Sequence, residues 1–367
     1  MAKITTKTKV AYKKPTSLAS LRESMTKMYG EGRVTKRENV KPYEIIPTGS
    51  LSLDQALRVG GWVRGRLHEI AGVEGVGKTT LVIASMVQAQ NKYPNQAVGY
   101  IDMEQTFDWD WAESLGLDTS DEKFLHVYPD NSEDVSDQLS DMAKTGLFSM
   151  IAVDSIGGME SKKAFDKTAE EAVMGNNAQV ITRMVKKTAA VANRENVAIL
   201  LINQFRANLS NPAGGDVSAG PKALKYATSV KVDMRRTGEP PLTVGSGDNA
   251  EKVGSQVSAR VVRSKVAAQG RVARFWILNQ PTDQYGPIGI DVADEAYTVG
   301  VRSGVIKQGG AWFTLPNGEK FQGGSATKDY LRDNPEVMYE IRDQAVAAVA
   351  GDVIPNVETD FEEDVDA

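Results

Sequence analysis

Eight consecutive residues, Gly72, Val73, Glu74, Gly75, Val76, Gly77, Lys78 and Thr79, fit the spacing G-x-x-x-x-G-K-[ST]. Glycines so placed let successive backbone N–H groups turn inward around phosphate oxygens, and a helix starting at the lysine adds the positive end of its dipole. Lys78 would bridge the terminal phosphates and the Thr79 hydroxyl would ligate Mg²⁺, with Thr80 next in the same helix start. The apolar run Met150–Val153 ends in Asp154, which could hold the Mg²⁺ shell through water. A strand-ending Asp is common on its own; the phosphate loop makes this one a candidate.

Glu104 follows the strand-like run Val98–Asp102. Its carboxylate falls at the carboxyl edge of a sheet, where ligands of open α/β folds collect, and it is a candidate base for an attacking water. Asp102 and Asp108 compete for that role. Asn203 and Gln204 end the run Val197–Ile202 just before a loop-like stretch. An amide there could sense a γ-phosphate and signal to the loop, or merely satisfy a turn. Arg263 and Lys265 lie two apart in RVVRSK and share one strand face, either as a phosphate clamp or as a solvated edge. Asp108 and Trp111 could flank a purine, although such a Trp is more often core. His68 and His126 read as core or strand residues.

Positioning these groups requires a sheet. From residue 66 to about 280, strand-like runs (LHEIAG, VGYID, FLHVY, MIAVD, VAILLI) alternate with helix-like ones. Continuously apolar strands are buried on both faces, which predicts a mostly parallel sheet between helices, an α/β class. The runs Val230–Arg235, Gln256–Val266 and Arg274–Leu278 lack long helices between them and predict an antiparallel extension. Ile156–Gly175 and Arg206–Pro221 read as long mobile loops. After residue 285, a hairpin turning at Asn317–Gly318 and two helical runs split at Asn334–Pro335 predict a small lobe. Near the start, Leu18, Leu21, Met25 and Met28 form a helical stripe that one short helix cannot bury alone.

Composition bounds the chemistry. The 367 residues contain no Cys and two His, which excludes disulfides and Cys-ligated metals and argues against a histidine-based zinc centre. No apolar run is long enough to span a bilayer and no secretory signal is evident, so the expected location is the cytoplasm, with no membrane partner. Residues 1–41 carry eleven Lys/Arg against three Asp/Glu, whereas residues 352–367 carry seven acids and no base. The last sixteen residues read as a disordered acidic tail. The formal charge of -5 argues at face value against a protein coating a polyanion; without the seven tail acids the count becomes 43 bases against 41 acids, a net of +2.

In order along the chain, Ile46–Asp54, Gly60–Gly61, Gly65–Arg66, the phosphate loop, YIDMEQTFD, IAVDS, Met174–Gly175, LINQFR, ALKYATSVKVDMRR, VVRSKVAA and GAWF resemble the bacterial recombinase RecA family over roughly residues 16 to 350. That colinearity is more specific than any one motif. The resemblance implies a RecA-type P-loop ATPase core with an N-terminal arm (1–45), a core (46–284), a C-terminal lobe (285–351) and an acidic tail (352–367). It implies ATP and Mg²⁺ as cofactors, a head-to-tail helical filament on single-stranded DNA, double-stranded DNA at a secondary site, and roles in recombination, repair and the SOS response. Single-stranded-DNA-binding protein and loader proteins are partners of the same kind.

By the same resemblance, Glu104 activates water, Gln204 reads the γ-phosphate, Lys78 is catalytic, and Arg263 with Lys265, beside Lys225 and Tyr226, reaches a neighbouring subunit's ATP. Loops 166–175 and 206–221 line DNA, with Met174 inserting between base groups and Gly175, Lys186, Arg206, Asn208, Leu209 and Gly220 close by. The Leu18–Met28 stripe docks on a neighbour, and the tail restrains DNA access. Val73, Gly75 and Val76 stand where Pro and two Ser are usual; Trp111 and Asn279 replace Tyr, Gln179 replaces Arg, and Arg263 replaces Lys, which suggests a divergent, phage-like member. In the lobe, Arg302 and Lys307 hint at a duplex-capturing patch. The rival readings are a ring-forming helicase and an ATP-gated DNA-binding module.

Overall fold

The structure, a computed structural model, describes residues 15–30, 34, 42–159, 176–206, 217–218 and 220–351. The chain separates into two compact units, residues 1–43 and 44–367. The first contains α1 (Leu18–Tyr29), opened by a capping box in which Ser17 and Ser20 exchange bonds of 3.1 Å and closed by Gly30 at φ +94°. None of its residues is buried.

The second unit runs β1 (Ile45–Ile46), α2 (Leu51–Leu57), β2 (Trp62–Val63), β3 (Leu67–Gly72), α3 (Lys78–Lys92), β4 (Ala97–Asp102), α4 (Trp109–Ser114), β5 (Phe124–Val127), α5 (Ser132–Lys144) and β6 (Phe148–Asp154). It continues through α6 (Asn176–Glu195), β7 (Ala198–Arg206), β8 (Val217–Ser218), α7 (Lys222–Ala227), β9 (Val230–Arg236), β10 (Leu242–Val244), β11 (Glu251–Ser264), β12 (Val272–Leu278) and β13 (Gly289–Ile290). The lobe follows with α8 (Val292–Ser303), β14 (Lys307–Gly309), β15 (Trp312–Thr314), β16 (Lys320–Gln322), α9 (Gly324–Asp333) and α10 (Pro335–Gly351).

The central sheet has the order β13-β12-β11-β9-β3-β7-β6-β4-β5, with β10 on β11 and β8 on β7. The strands from β9 to β5 are mutually parallel, and β11, β12 and β13 add antiparallel pairings. Val230–Arg235 therefore differs from its expected place: β9 lies parallel to β3 and closes the parallel set, and α7 immediately precedes it. The sheet also runs past residue 285, since β13 pairs with β12.

Alternation along the strands feeds two cores. Met150, Ala152, Leu200 and Ile202 face α3, which contributes Leu81, Ile83 and Met86. Ile151, Val153, Ile199 and Leu201 face α5 and α6, which contribute Leu139, Met184 and Val185. The lobe has its own core around Phe313, Leu331 and Ile341, and β15 and β16 form the expected hairpin.

The lobe is joined to α2 by a buried carboxylate. Glu295 of α8 accepts from Ser50 Oγ at 2.7 Å, Leu51 N at 3.0 Å, Ser52 N at 3.1 Å and the Ser52 hydroxyl, which satisfies the donors that open α2. Asp54 accepts from Thr48 N at 2.7 Å and lies 3.5 Å from Arg342 of α10. Burial raises both acids to about 7, against the pull of these donors.

Candidate active site

The phosphate loop joins β3 to α3, as its spacing predicts. Gly77 holds φ +91° and opens α3 with no side-chain cap, so the first N–H groups of that helix stay available to an anion. A Cβ at Gly77 would overlap Ile277 Cδ1, because β12 passes directly against the loop. Lys78 crosses the loop and donates to Gly72 O at 3.1 Å and Val73 O at 2.8 Å. Burial lowers its pKa, while Asp154, Glu104 and Glu74 pull it back up.

Register brings the remaining groups to the same edge. Asp102 of β4 pairs with Asp154 of β6, and Gly72 of β3 pairs with Gln204 of β7. The structure extends β7 through Arg206, so Asn203 and Gln204 lie within the strand and not after it; pairing with β3 and β8 carries it past the apolar run. Asn203 donates to the buried Glu69 at 3.0 Å and its Oδ1 accepts from Gln204 N at 2.9 Å. The Gln204 amide donates to Glu104 Oε1 at 2.8 Å, and the same oxygen accepts from Ser155 Oγ.

The candidates for the base now separate. Asp102 is 1% exposed and accepts from the N–H groups of Glu104 (3.1 Å), Gln105 (2.8 Å) and Phe107 (3.0 Å), so it holds the turn that carries Glu104. Asp108 caps α4 by accepting from Trp111 N at 2.9 Å. Glu104 is exposed at the edge and, unlike Asp102 and Asp108, accepts no backbone N–H of the turn or of α4; its carboxylate faces Gln204. His126 is buried against this turn, with Nε2 3.5 Å from Asp102 Oδ2.

A cleft of about 480 Å³ runs along the loop, lined by Gly75, Val76, Gly77, Lys78, Thr79, Thr80 and Trp111 and, across from them, by Arg236, Lys252, Ser255, Ile277 and Asn279. Gly72, Val73, Glu74, Asp108 and Asp154 do not line it. The residues fit a magnesium ion: the Thr79 hydroxyl lies 3.1 Å from Asp154 Oδ2, and burial raises Asp154 to about 6, which a cation would reverse. These would be its holders, and the metal would neutralise phosphate charge.

Arg263, Lys265, Lys225 and Tyr226 gather elsewhere. Arg263 Nη1 donates to Lys225 O at 2.8 Å and Thr228 Oγ1 at 3.1 Å, and Lys265 Nζ donates to Tyr226 O. Arg263 is level with Lys231, and hence with Glu69, while Ser264 is level with Val230 and His68, at the end of the strands away from Gly72. At ~3.3 Å per residue these cations sit some 10 Å or more along the strands from their own phosphate loop. Tyr226 is 74% exposed.

Of the residues read as DNA contacts, Met174, Gly175, Asn208 and Leu209 lie outside the described residues. Arg206 donates to Gly157 O at 2.6 Å, which ties the end of β7 to the turn after β6. Lys186 is exposed on α6, and Gly220 holds φ +109° before α7. Arg302 and Lys307, read as duplex-facing, are both exposed, and Arg302 donates to Gln55 at 2.6 Å. Tyr100, Ser155, Arg236 and Lys252 carry no sequence signal of their own. Strand order brings Arg236 and Lys252 to the cleft, with Arg236 reaching Gly75 O at 3.1 Å, and sets Tyr100 and Ser155 against Asp154 and Glu104.

Among the described residues no helix is long and apolar enough to cross a membrane. The family model for the RecA N-terminal domain matches residues 17–281, and that for the RecA C-terminal domain matches residues 295–350. The chain is 33% identical to Protein RecA of Chelativorans sp. (strain BNC1), over 89% of this chain and 88% of that one. It is 32% identical to Protein RecA of Thermus aquaticus, over 89% and 92%. For Protein RecA of Rhodospirillum rubrum the identity is 34%, over 88% and 84%. Two matched domains in chain order, and relatives aligned over nearly their whole length, make this chain a member of the RecA family, with the ATP-dependent recombination and repair chemistry of that family.

Proposed function

We propose that this chain binds ATP with Mg²⁺, assembles head to tail on single-stranded DNA in the cytoplasm, and catalyses homologous pairing and strand exchange with a duplex. The observation that carries this reading is the split between the two strand ends. Glu104, Gln204, Asp154 and the phosphate loop share one edge, while Arg263 and Lys265 lie toward the other, where they could meet only another subunit's nucleotide. Heterologous contacts of that kind generate open filaments.

In this reading Glu104 accepts the proton of the attacking water as its oxygen bonds to the γ-phosphorus and ADP leaves. Lys78 and the N–H groups of Gly75 to Thr80 hold the phosphates, and Trp111 supports the base. Gln204 exchanges its bond to Glu104 for the γ-phosphate, which couples nucleotide to the segment after Arg206. The arm (1–45), core (46–284), lobe (285–351) and tail (352–367) divide the work. The exposed Leu18, Met25 and Met28 of α1 support docking on a neighbour, and the acidic tail would restrain duplex access.

Electron microscopy paired with ATPase measurements, with and without single-stranded DNA, tests the reading. Expected are DNA-stimulated turnover and helical filaments that Lys78→Ala cannot form. Closed rings, or turnover indifferent to DNA, would favour a helicase or motor and overturn it.

A further inference from the structure

Tyr100 lies in the middle of β4 and is 1% exposed. Its ring packs in the core beside Phe107, with centroids 4.7 Å apart. A buried phenol needs a partner for its hydroxyl. Tyr100 finds that partner across the sheet, donating to Asp154 Oδ2 at 2.6 Å. The Thr79 hydroxyl donates to the same oxygen at 3.1 Å.

Two donors thus claim one oxygen of the carboxylate. Asp154 Oδ1 makes no hydrogen bond among the described residues. A short bond to an ionised carboxylate is strong and directional, so it fixes the side-chain rotamer as well as the charge. Groups that orient a metal-site carboxylate tune affinity for the metal without touching it.

We propose that Tyr100 is a positioning residue of the magnesium site: its hydroxyl anchors Asp154 through Oδ2 and leaves Oδ1 for the metal's water shell. Thr79 can keep its proton on Asp154 while its oxygen lone pairs serve the ion, and Tyr100 keeps the carboxylate in place. The inference rests on the reading of Asp154 as the metal-site acid.

The test uses the full-length protein bound to ADP, with free Mn²⁺ measured by electron paramagnetic resonance. For Tyr100→Phe, the Mn²⁺ concentration at half-saturation is expected to rise about tenfold, with ADP affinity in the absence of divalent metal within about twofold of wild type. Asp154→Asn is the reference arm and should lose the coupling between ADP and Mn²⁺. If Asp154→Asn keeps wild-type coupling, the underlying reading of Asp154 is wrong. If it loses coupling while Tyr100→Phe binds Mn²⁺ like wild type, Asp154 stands and the role of Tyr100 is overturned. A parallel loss of metal-free ADP affinity in Tyr100→Phe would also overturn it, since that would mark a disturbed pocket. Should Tyr100→Phe not fold, 3-fluorotyrosine at position 100 keeps the ring and strengthens the donor; tighter Mn²⁺ binding is then expected, and unchanged binding overturns the proposal.

Discussion

Asp154 and Glu295 are both buried acids, 6% and 2% exposed, and burial pushes both upward, to about 6 and about 7. Their surroundings differ. Glu295 has donors on both oxygens, from two N–H groups and two hydroxyls at the start of α2. Asp154 has both of its donors on Oδ2, and one of them, Thr79, lines the cleft along the phosphate loop. A shifted pKa therefore does not separate the acid we propose for the metal site from the structural one; what distinguishes them is the oxygen left without a donor. Glu295 completes a joint, whereas Asp154 keeps one oxygen without a donor among the described residues.

The sharpest way to break this contrast is to alter each region and look for the other's symptom. Glu104→Gln keeps the size and the contact to Gln204 but removes the basic oxygen. Turnover should fall by roughly 10²–10⁴. The melting temperature should stay within about 2 °C, because an exposed group carries little of the stability. Single-turnover ATPase assays and calorimetry measure the two effects, and a large fall in melting temperature would mean that the catalytic edge is also a structural joint. At the other site, Glu295→Ala leaves four donors at the start of α2 facing a cavity. A loss on the order of 3 kcal/mol is expected in denaturant unfolding, with nucleotide affinity per folded molecule unchanged. A selective fall in nucleotide affinity would tie the lobe to the active site and erase the distinction.

These regions also differ in how far the sequence reveals them. The phosphate loop is contiguous, and its function depends on backbone shape, so glycine spacing alone exposes it. Glu104 is placed near the right edge by the strand before it, but choosing it over Asp102 and Asp108 requires knowing that those two are occupied by N–H groups of the turn and of α4. Gln204 reads as the end of an apolar run because the extension of β7 depends on pairing with β3 and β8, not on hydropathy. Val230–Arg235 resembles its antiparallel neighbours, since strand direction is set by its pairing with β3, which the residues of the strand itself do not reveal. Tyr100 reads as one more core aromatic; its role depends on β4 lying beside β6, a fact of strand order. Glu295 belongs to an amphipathic helix, where a carboxylate normally faces water, and only the packing of α8 on α2 makes it buried. In each case local chemistry is legible, and what is missing is the neighbour supplied by a distant segment.

The smallest effect is a pH dependence of the joint. In the unfolded chain Glu295 titrates near its ordinary 4.5, and in the folded chain at about 7. Between those values the native state binds more protons than the unfolded state, so stability contributed by this group falls as pH rises. The contribution is fully present below about pH 4.5 and is lost as pH passes through about 7. Asp54, also raised to about 7, acts in the same direction, and the exposed carboxylates are shared by wild type and variant. Glu295→Gln removes one titration without changing side-chain volume. The stability difference between wild type and Glu295→Gln, measured by denaturant unfolding at a series of pH values, should therefore shrink from pH 5 to pH 8. The Asp54 contribution persists in both proteins, somewhat smaller in Glu295→Gln because the Glu295 charge is one of the causes that raise Asp54. A difference that grows with pH would mean that the donors around Glu295 outweigh its burial and hold it ionised. The joint would then be an ion held by dipoles, and the contrast with Asp154 would rest on the free oxygen alone.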